Sequence, residues 1–462
     1  MNHDDFDRHS EAHPDSRVME RAVLRAPSYS RLNHVILVSK TYWGGMPFWF
    51  RKPPEHARLE SVVLRTHDLR QLRALYWTST RTATGEAPKI GVVLIHPRVD
   101  FHHHYAVPRL VDAGFAVLAA NSRHVGNDTM AEHEEMVLDV EACVRWLREK
   151  RGVEKVVLLG NSGGGSLVAF YQSEARKAPG DRFASSPGGS PTRFDSAPMT
   201  PADAMVYVAA HRGQGKILLD AIDPSVVDER DPMSCEPSLD MYDTRNGFVE
   251  PPAWSTYSAE FLERYRAAQV ERVRRLDAVA RAHIAVHDEA AVESAAQGFA
   301  TRPFHERQEV LRRRACETVM VVHRTMADPA YADRGIDPSD REYGSLLSER
   351  PDLMNMTALG FARTVTPRAW LSTWSGLSSN ADLVANVAGI AEPTLIVHAE
   401  RDREIRPSDA ALLLEACASK DKRLVIIAGA RHYFEPEPGE RDAPHVEAAL
   451  DAIVPWIQER LA

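Results

Sequence analysis

Cysteine is scarce in this chain of 462 residues: there are four, Cys143, Cys235, Cys316 and Cys417, and none falls in a Cys-x-x-Cys spacing. Scattered single cysteines exclude a disulfide framework and a cysteine-based zinc site. They point to reduced thiols, and hence to a cytoplasmic location. The first fifteen residues are acidic and histidine-rich, where a secretory signal would be basic and then apolar. No apolar run approaches the roughly 20 residues that a membrane-spanning helix needs, so stable membrane insertion is not expected. Positive charge is also in deficit. A formal net charge of -9 removes the electrostatic case for binding nucleic acid. Missing too are a Gly-x-x-x-x-Gly-Lys phosphate loop and a dinucleotide fingerprint, so no nucleotide cofactor is expected. The run His102-His103-His104 lacks the i, i+4 spacing of a helical zinc site, and adjacent side chains point apart; no metal is expected.

With 44% hydrophobic and 26% charged residues, the chain reads as a folded globular protein. Residues 1–56 read as an N-terminal extension containing the aromatic stretch Tyr42 to Phe50, which either packs on the body or touches a membrane surface. From Leu59 the texture changes. Leu59–Arg65 and Leu72–Trp77 read as an antiparallel pair of strands. Buried strands follow at 91–95, 115–119 and 156–159, with helices near 105–113 and 130–150 between them. Alternating strands and helices predict an α/β fold with a mostly parallel central sheet flanked by helices. Residues 178–202, rich in Pro, Gly and Ser, read as a mobile loop. A strand at 205–209 closes the first part of the core, 57–210. Residues 211–390 are helical in texture and read as a cap insertion. One of its helices spans Ser258–Ala285 and should bury Phe261, Leu262, Tyr265, Leu276 and Val279. Strands at 393–398 and 424–427 and a final helix near 445–460 make up the last part of the core, 391–462.

The chemistry concentrates at strand ends. Val156-Val157-Leu158-Leu159 runs straight into Gly160-Asn161-Ser162-Gly163-Gly164, a Gly-x-Ser-x-Gly at a strand-to-helix turn. A bare match of that kind arises by chance in about one chain of this size in ten. Here the preceding strand, the extra glycines and the following helix give it the layout of a nucleophile elbow. Glycines at 160 and 164 let neighbouring chain pass close by. The amide of Gly163, at the start of the helix, is placed to donate to a developing oxyanion. A serine nucleophile needs a general base, and the base needs a carboxylate. Both types occur after later strands, in His398-Ala399-Glu400-Arg401-Asp402 and in Gly429-Ala430-Arg431-His432.

With the order serine, acid, histidine, the chain resembles the α/β-hydrolase superfamily over residues 57–175 and 392–462. The resemblance implies that Asp402 is the acid and His432 the base of Ser162. Glu400 is the rival acid, Asp409 fits better as a helix cap, and His102, His103 and His104 are rival bases. Family members often carry His-Gly-x after the third strand, whereas this chain has His96-Pro97-Arg98. Proline has no amide proton, so the oxyanion hole falls to Arg98 and Gly163. Whether the Arg98 side chain reaches the pocket stays open, as does the role of His211, Arg212, Tyr242, Trp254, Trp370 and Trp374. The expected activity is serine-dependent hydrolysis of a carboxylic ester or lactone of a small to medium organic molecule. The alternatives are cleavage of an amide or carbon–carbon bond by the same triad, or a ligand receptor built on a hydrolase fold. The oligomeric state is not legible.

Overall fold

A computed structural model describes residues 53–81, 88–437 and 442–461. The aromatic stretch at 42–50 lies outside the described residues. Eight strands form one sheet: β1 (Ala57–Arg65), β2 (Gln71–Ser79), β3 (Ile90–His96), β4 (Ala116–Asn121), β5 (Lys155–Asn161), β6 (Ala204–Val208), β7 (Thr394–Ala399) and β8 (Lys422–Ile427). Their spatial order is β1-β2-β4-β3-β5-β6-β7-β8. β1 and β2 are antiparallel, β2 is antiparallel to β4, and every later pairing is parallel. The expected mixed sheet with an antiparallel start is therefore present.

Alternation within each central strand explains why helices cover both faces. Val156 and Leu158 of β5 point to one side, where they join Leu167, Phe170 and Tyr171 of α3 (Gly163–Arg176) and Val140 and Val144 of α2 (His133–Arg151). Val157 and Leu159 point to the other. There they meet Leu110 of α1 (Val107–Asp112) and Ile453, Trp456 and Ile457 of the C-terminal helix, Pro444–Leu461. A strand buried on both faces cannot afford polar positions, which is why these segments read as continuous apolar runs.

Residues 178–202 do not leave the body as a mobile loop. Phe194, Ala197 and Met199 are buried in the core beside α3, and the Arg182 guanidinium donates to the carbonyls of Phe194 and Ala197. The Pro, Gly and Ser content reflects irregular backbone, not exposure.

Between β6 and β7 the regular structure is mainly helical, set among long irregular stretches. It contains α4 (Gln214–Ala221), the long α5 (Ala259–Ala295) and α6 (Phe304–Ala315). Ser258 caps α5, its hydroxyl accepting the Phe261 amide at 3.1 Å. Phe261, Tyr265 and Leu276 are buried as expected, but Val279 is exposed. Ala280, one position on, takes its place, so the buried stripe runs Arg272, Val273, Leu276, Ala280. Buried Arg272 is satisfied by Glu229 and by the carbonyls of Asp223 and His323, a pattern that spacing of apolar residues alone does not show. Ile217, Val273, Trp370 and Trp374 belong to a separate apolar cluster within this region. Its last portion, the short helix Leu383–Val387, returns to the core and packs against α3. Among the described residues no helix is long and apolar enough to cross a membrane.

Candidate active site

Register brings the chemistry to one edge. Asn161 of β5 is level with Val208 of β6, Val208 is level with Val397 of β7, and Ala399 is level with Ile427 of β8. Whatever follows these strands emerges along a single rim, as expected for a parallel sheet.

Ser162 sits between β5 and α3 with φ 52° and ψ −124°, a conformation that costs an ordinary residue about 1–3 kcal/mol. Its surroundings enforce that turn. The Ser162 amide donates to the Val208 carbonyl at 3.0 Å, and Asn161 Nδ2 donates to the same carbonyl at 2.8 Å. Asn161 Oδ1 is held by His104 Nε2 at 3.0 Å and by the Tyr105 hydroxyl at 3.3 Å. His104 is therefore a buried brace of the elbow. A Cβ on Gly160 would lie 2.6 Å from Gly165 Cα, and one on Gly164 would lie 2.6 Å from the Ile95 carbonyl oxygen. Strand and helix can approach this closely only without those atoms.

The three groups singled out from strand ends meet. His432 Nε2 lies 2.9 Å from Ser162 Oγ, and His432 Nδ1 lies 2.6 Å from Asp402 Oδ2. All three residues are buried. Asp402 Oδ1 accepts the amides of Glu404 and Ile405 at 2.8 and 3.0 Å. Burial would raise the Asp402 pKa, but His432 and those amides hold it below the usual carboxylate value. Burial would lower the His432 pKa, and Asp402 outweighs it, so His432 titrates above 6.5. The rival acid Glu400 faces elsewhere and accepts the Gly429 amide at 2.8 Å, bracing the loop that carries His432. Asp409 accepts the Arg406 amide in the first turn of the helix Pro407–Ala416. His102 Nε2 contacts the Arg73 carbonyl, away from Ser162.

The two residues expected to form the oxyanion hole are placed differently. Gly163 opens α3, where first-turn amides have no intrahelical partner. The Arg98 amide, however, is engaged by the His96 ring, donating to Nδ1 at 3.0 Å. With Pro97 lacking an amide, the loop has turned its remaining N–H groups onto that ring. The Arg98 side chain is taken as well: Nε donates to Asp128 Oδ1 at 2.6 Å, a second bond reaches Oδ2, and the guanidinium lies 4.9 Å over the Trp374 ring.

Around Ser162 and His432 a small cavity is walled by His96, Arg98, His211 and Gln214. Ile217, Leu346, Leu347, Phe361, Trp374 and Glu404 complete it. Of the aromatic and basic candidates in the helical region, His211 and Trp374 reach this wall. Arg212 pairs with Asp220 and Asp409, the Tyr242 hydroxyl bonds the Met326 carbonyl, Trp254 packs on Tyr343, and Trp370 donates to Asp277. Sequence reasoning missed Gln214, Glu404, Leu346, Leu347 and Phe361. Only Glu404, two residues after Asp402, carried a positional signal. Burial raises the Glu404 pKa to about 7, and its oxygens are used by the Tyr331 hydroxyl and the Leu346 amide.

Residues 92–210 match the alpha/beta hydrolase fold family. The fold is that of an α/β hydrolase. Residues 356–439, which include Asp402 and His432, match the serine aminopeptidase S33 family. Both families are hydrolases. No curated protein matches the sequence. Among solved structures, a hypothetical protein of Pseudomonas aeruginosa is similar at 14% identity and TM-score 0.46, covering 89% of this chain and 96% of that one. The esterase domain of a Rhodothermus marinus protein aligns at 12% identity and TM-score 0.39, covering 88% and 100%. The Pyrococcus furiosus esterase Pf2001 aligns at 10% identity and TM-score 0.40, covering 88% and 93%.

Proposed function

We propose that this α/β hydrolase cleaves a carboxylic ester or lactone of a small to medium organic molecule through an acyl-enzyme on Ser162. The observation that carries the reading is the unbroken chain Ser162 Oγ, His432 Nε2, His432 Nδ1, Asp402 Oδ2, with links of 2.9 and 2.6 Å at the cavity floor. Ser162 Oγ adds to the carbonyl carbon as its proton passes to His432 Nε2. The tetrahedral adduct collapses, the carbon–oxygen bond to the leaving group breaks, and that oxygen takes the proton from His432. Water then repeats the sequence on the acyl-enzyme and releases the acid. Asp402 keeps the His432 proton on Nδ1 and stabilises the imidazolium. The Gly163 amide supports charge on the substrate oxygen.

The test compares wild type with Ser162→Ala on p-nitrophenyl esters of graded chain length, alongside labelling with a fluorophosphonate probe. Loss of turnover and of labelling in the variant is expected. Undiminished turnover by Ser162→Ala overturns the reading, and an unlabelled wild-type serine favours a receptor. The S33 match lends support to the amide alternative. Aminoacyl p-nitroanilides turned over faster than the esters would establish it.

A further inference from the structure

The cavity holds two histidines besides His432, and both are fixed in the same unusual way. His96 ends β3, and its Nδ1 accepts the amides of Arg98 and Val99 at 3.0 and 2.9 Å. His211 follows β6, and its Nδ1 accepts the Gly213 amide at 3.0 Å. A ring nitrogen that accepts from an N–H carries no proton, so in each neutral imidazole the proton resides on Nε2. Burial, reinforced by neighbouring His432 and Arg98, keeps both rings neutral. The His96 pKa falls well below 6.5, and that of His211 falls to about 3.

The two Nε2 atoms come together over Gly163. Each lies 3.0 Å from the point a Cβ on Gly163 would occupy, and the Gln214 carboxamide nitrogen lies 2.5 Å from it. That point adjoins the first amide of α3 and borders the cavity that Ser162 and His432 line. A side chain at position 163 would collide with these nitrogens, so glycine there lets all three pack against the residue that follows the nucleophile, at the edge of the cavity. The Arg98 amide, which the serine-to-carbonyl chemistry would otherwise draw on, is spent on His96 itself.

We infer that His96 and His211 are catalytic residues whose Nε2–H groups, with the Gly163 amide, hold the substrate oxygen as it becomes negative during Ser162 addition. The inference rests on the serine-hydrolase reading above. No proton moves in this role: the carbonyl π-electron pair shifts onto oxygen, is held by the donors, and returns to re-form the carbonyl as the leaving group departs. A tautomer pinned by backbone amides needs no reorganisation when charge appears, which is what makes such donors effective. Loss of one oxyanion donor typically lowers kcat by about 10²–10³.

Asparagine and glutamine separate this role from a structural one. Asparagine can reproduce the Nδ1 acceptor that braces the loop but not the Nε2 donor; glutamine reproduces the donor and loses the brace. His96→Asn and His211→Asn are expected to lower kcat by about 10²–10³ on a p-nitrophenyl ester with little change in KM, while the glutamine variants recover most of the loss. Asparagine variants within threefold of wild-type kcat, or the reverse order of the two series, overturn the inference. Ser162 labelling by a fluorophosphonate in the same preparations keeps the questions apart. A wild-type serine that neither labels nor matters for turnover defeats the hydrolase reading, whereas a labelled, essential Ser162 with active asparagine variants defeats only this one. Should a variant not fold, ¹⁵N NMR of ring-labelled wild type decides. Unprotonated Nδ1 and protonated Nε2 are expected for both residues, with the Nε2–H signals moving when a trifluoromethyl ketone adds to Ser162. Protons on Nδ1, or unmoved signals, overturn the inference.

Discussion

Asp402→Asn isolates the part of the site that sets which way the His432 proton points. Asp402 Oδ1 accepts two main-chain amides and Oδ2 faces His432 Nδ1. Asparagine has one oxygen to divide between these tasks. If that oxygen stays with the Glu404 and Ile405 amides, the side-chain NH₂ faces Nδ1, which must then accept. The ring proton moves to Nε2, 2.9 Å from Ser162 Oγ, and His432 can no longer take the serine proton. Turning the amide round restores the productive tautomer but sets NH₂ against two buried N–H donors. At about 1–3 kcal/mol for each hydrogen bond left unmade, that orientation costs roughly 2–6 kcal/mol. Converted at 1.36 kcal/mol per decade, the productive fraction falls by about 30-fold to 10⁴-fold. The upper end equals the loss of about 10⁴ known for the same exchange in a serine-protease triad.

The assay is steady-state hydrolysis of p-nitrophenyl butyrate at saturation, with thermal melting to show that the variant folds. A folded Asp402→Asn protein within tenfold of wild-type kcat would refute the reasoning, because Asp402 would not then govern the tautomer. Covalent labelling of Ser162 by a fluorophosphonate should slow by a comparable factor, since it requires the same proton transfer.

Further outcomes follow from the same geometry. His432 titrates above 6.5, so kcat/KM should fall as pH drops through a value above 6.5; an acid limb at or below 6 would contradict the Asp402 contact. Stability linked to His432 runs the opposite way. A raised folded pKa gives stabilisation fully present below the unfolded value and lost as pH rises through the folded one, so the Tm difference between wild type and His432→Asn should shrink over the window in which activity rises. Gly160→Ala places a methyl 2.6 Å from Gly165 Cα and 2.7 Å from its nitrogen, backbone that no rotamer change can clear. A destabilisation of about 1–3 kcal/mol, read from denaturant unfolding, and a weakened Ser162 are expected; wild-type stability would show that β5 and α3 are not in forced contact.

Much of this site was legible because its parts sit at strand ends, where sequence pattern and position in the fold coincide. Gly160 to Gly164 announce the turn after β5, and Asp402 and His432 follow the last two parallel strands. The same logic failed for the cavity walls. Leu346, Leu347 and Phe361 come from irregular stretches of the helical region, with no periodicity to mark the side facing Ser162. Val279 was misplaced for a related reason: the buried stripe of α5 includes Gln269 and Arg272, whose burial depends on partners far along the chain, so an apolar-only pattern chose the wrong neighbour of Ala280. The bond from the Arg98 amide to the His96 ring was not legible, because absence of a proline amide says which donor is missing, not where the remaining amides point.

Arg98 shows what that loop does instead. Its guanidinium meets Asp128 through two bonds and lies over Trp374, and the Trp374 indole nitrogen reaches the Asp128 carbonyl at 3.5 Å. Asp128 belongs to the segment after β4, and Trp374 closes the π-helical turn Trp370–Trp374 of the helical region. The residue after Pro97 therefore ties two core loops to the wall of the cavity. A guanidinium committed to a bidentate carboxylate cannot also offer its charge to an anionic substrate without stripping Asp128 of its partner. The anchoring of the cavity wall and the engagement of the Arg98 amide thus both belong to the short loop after β3.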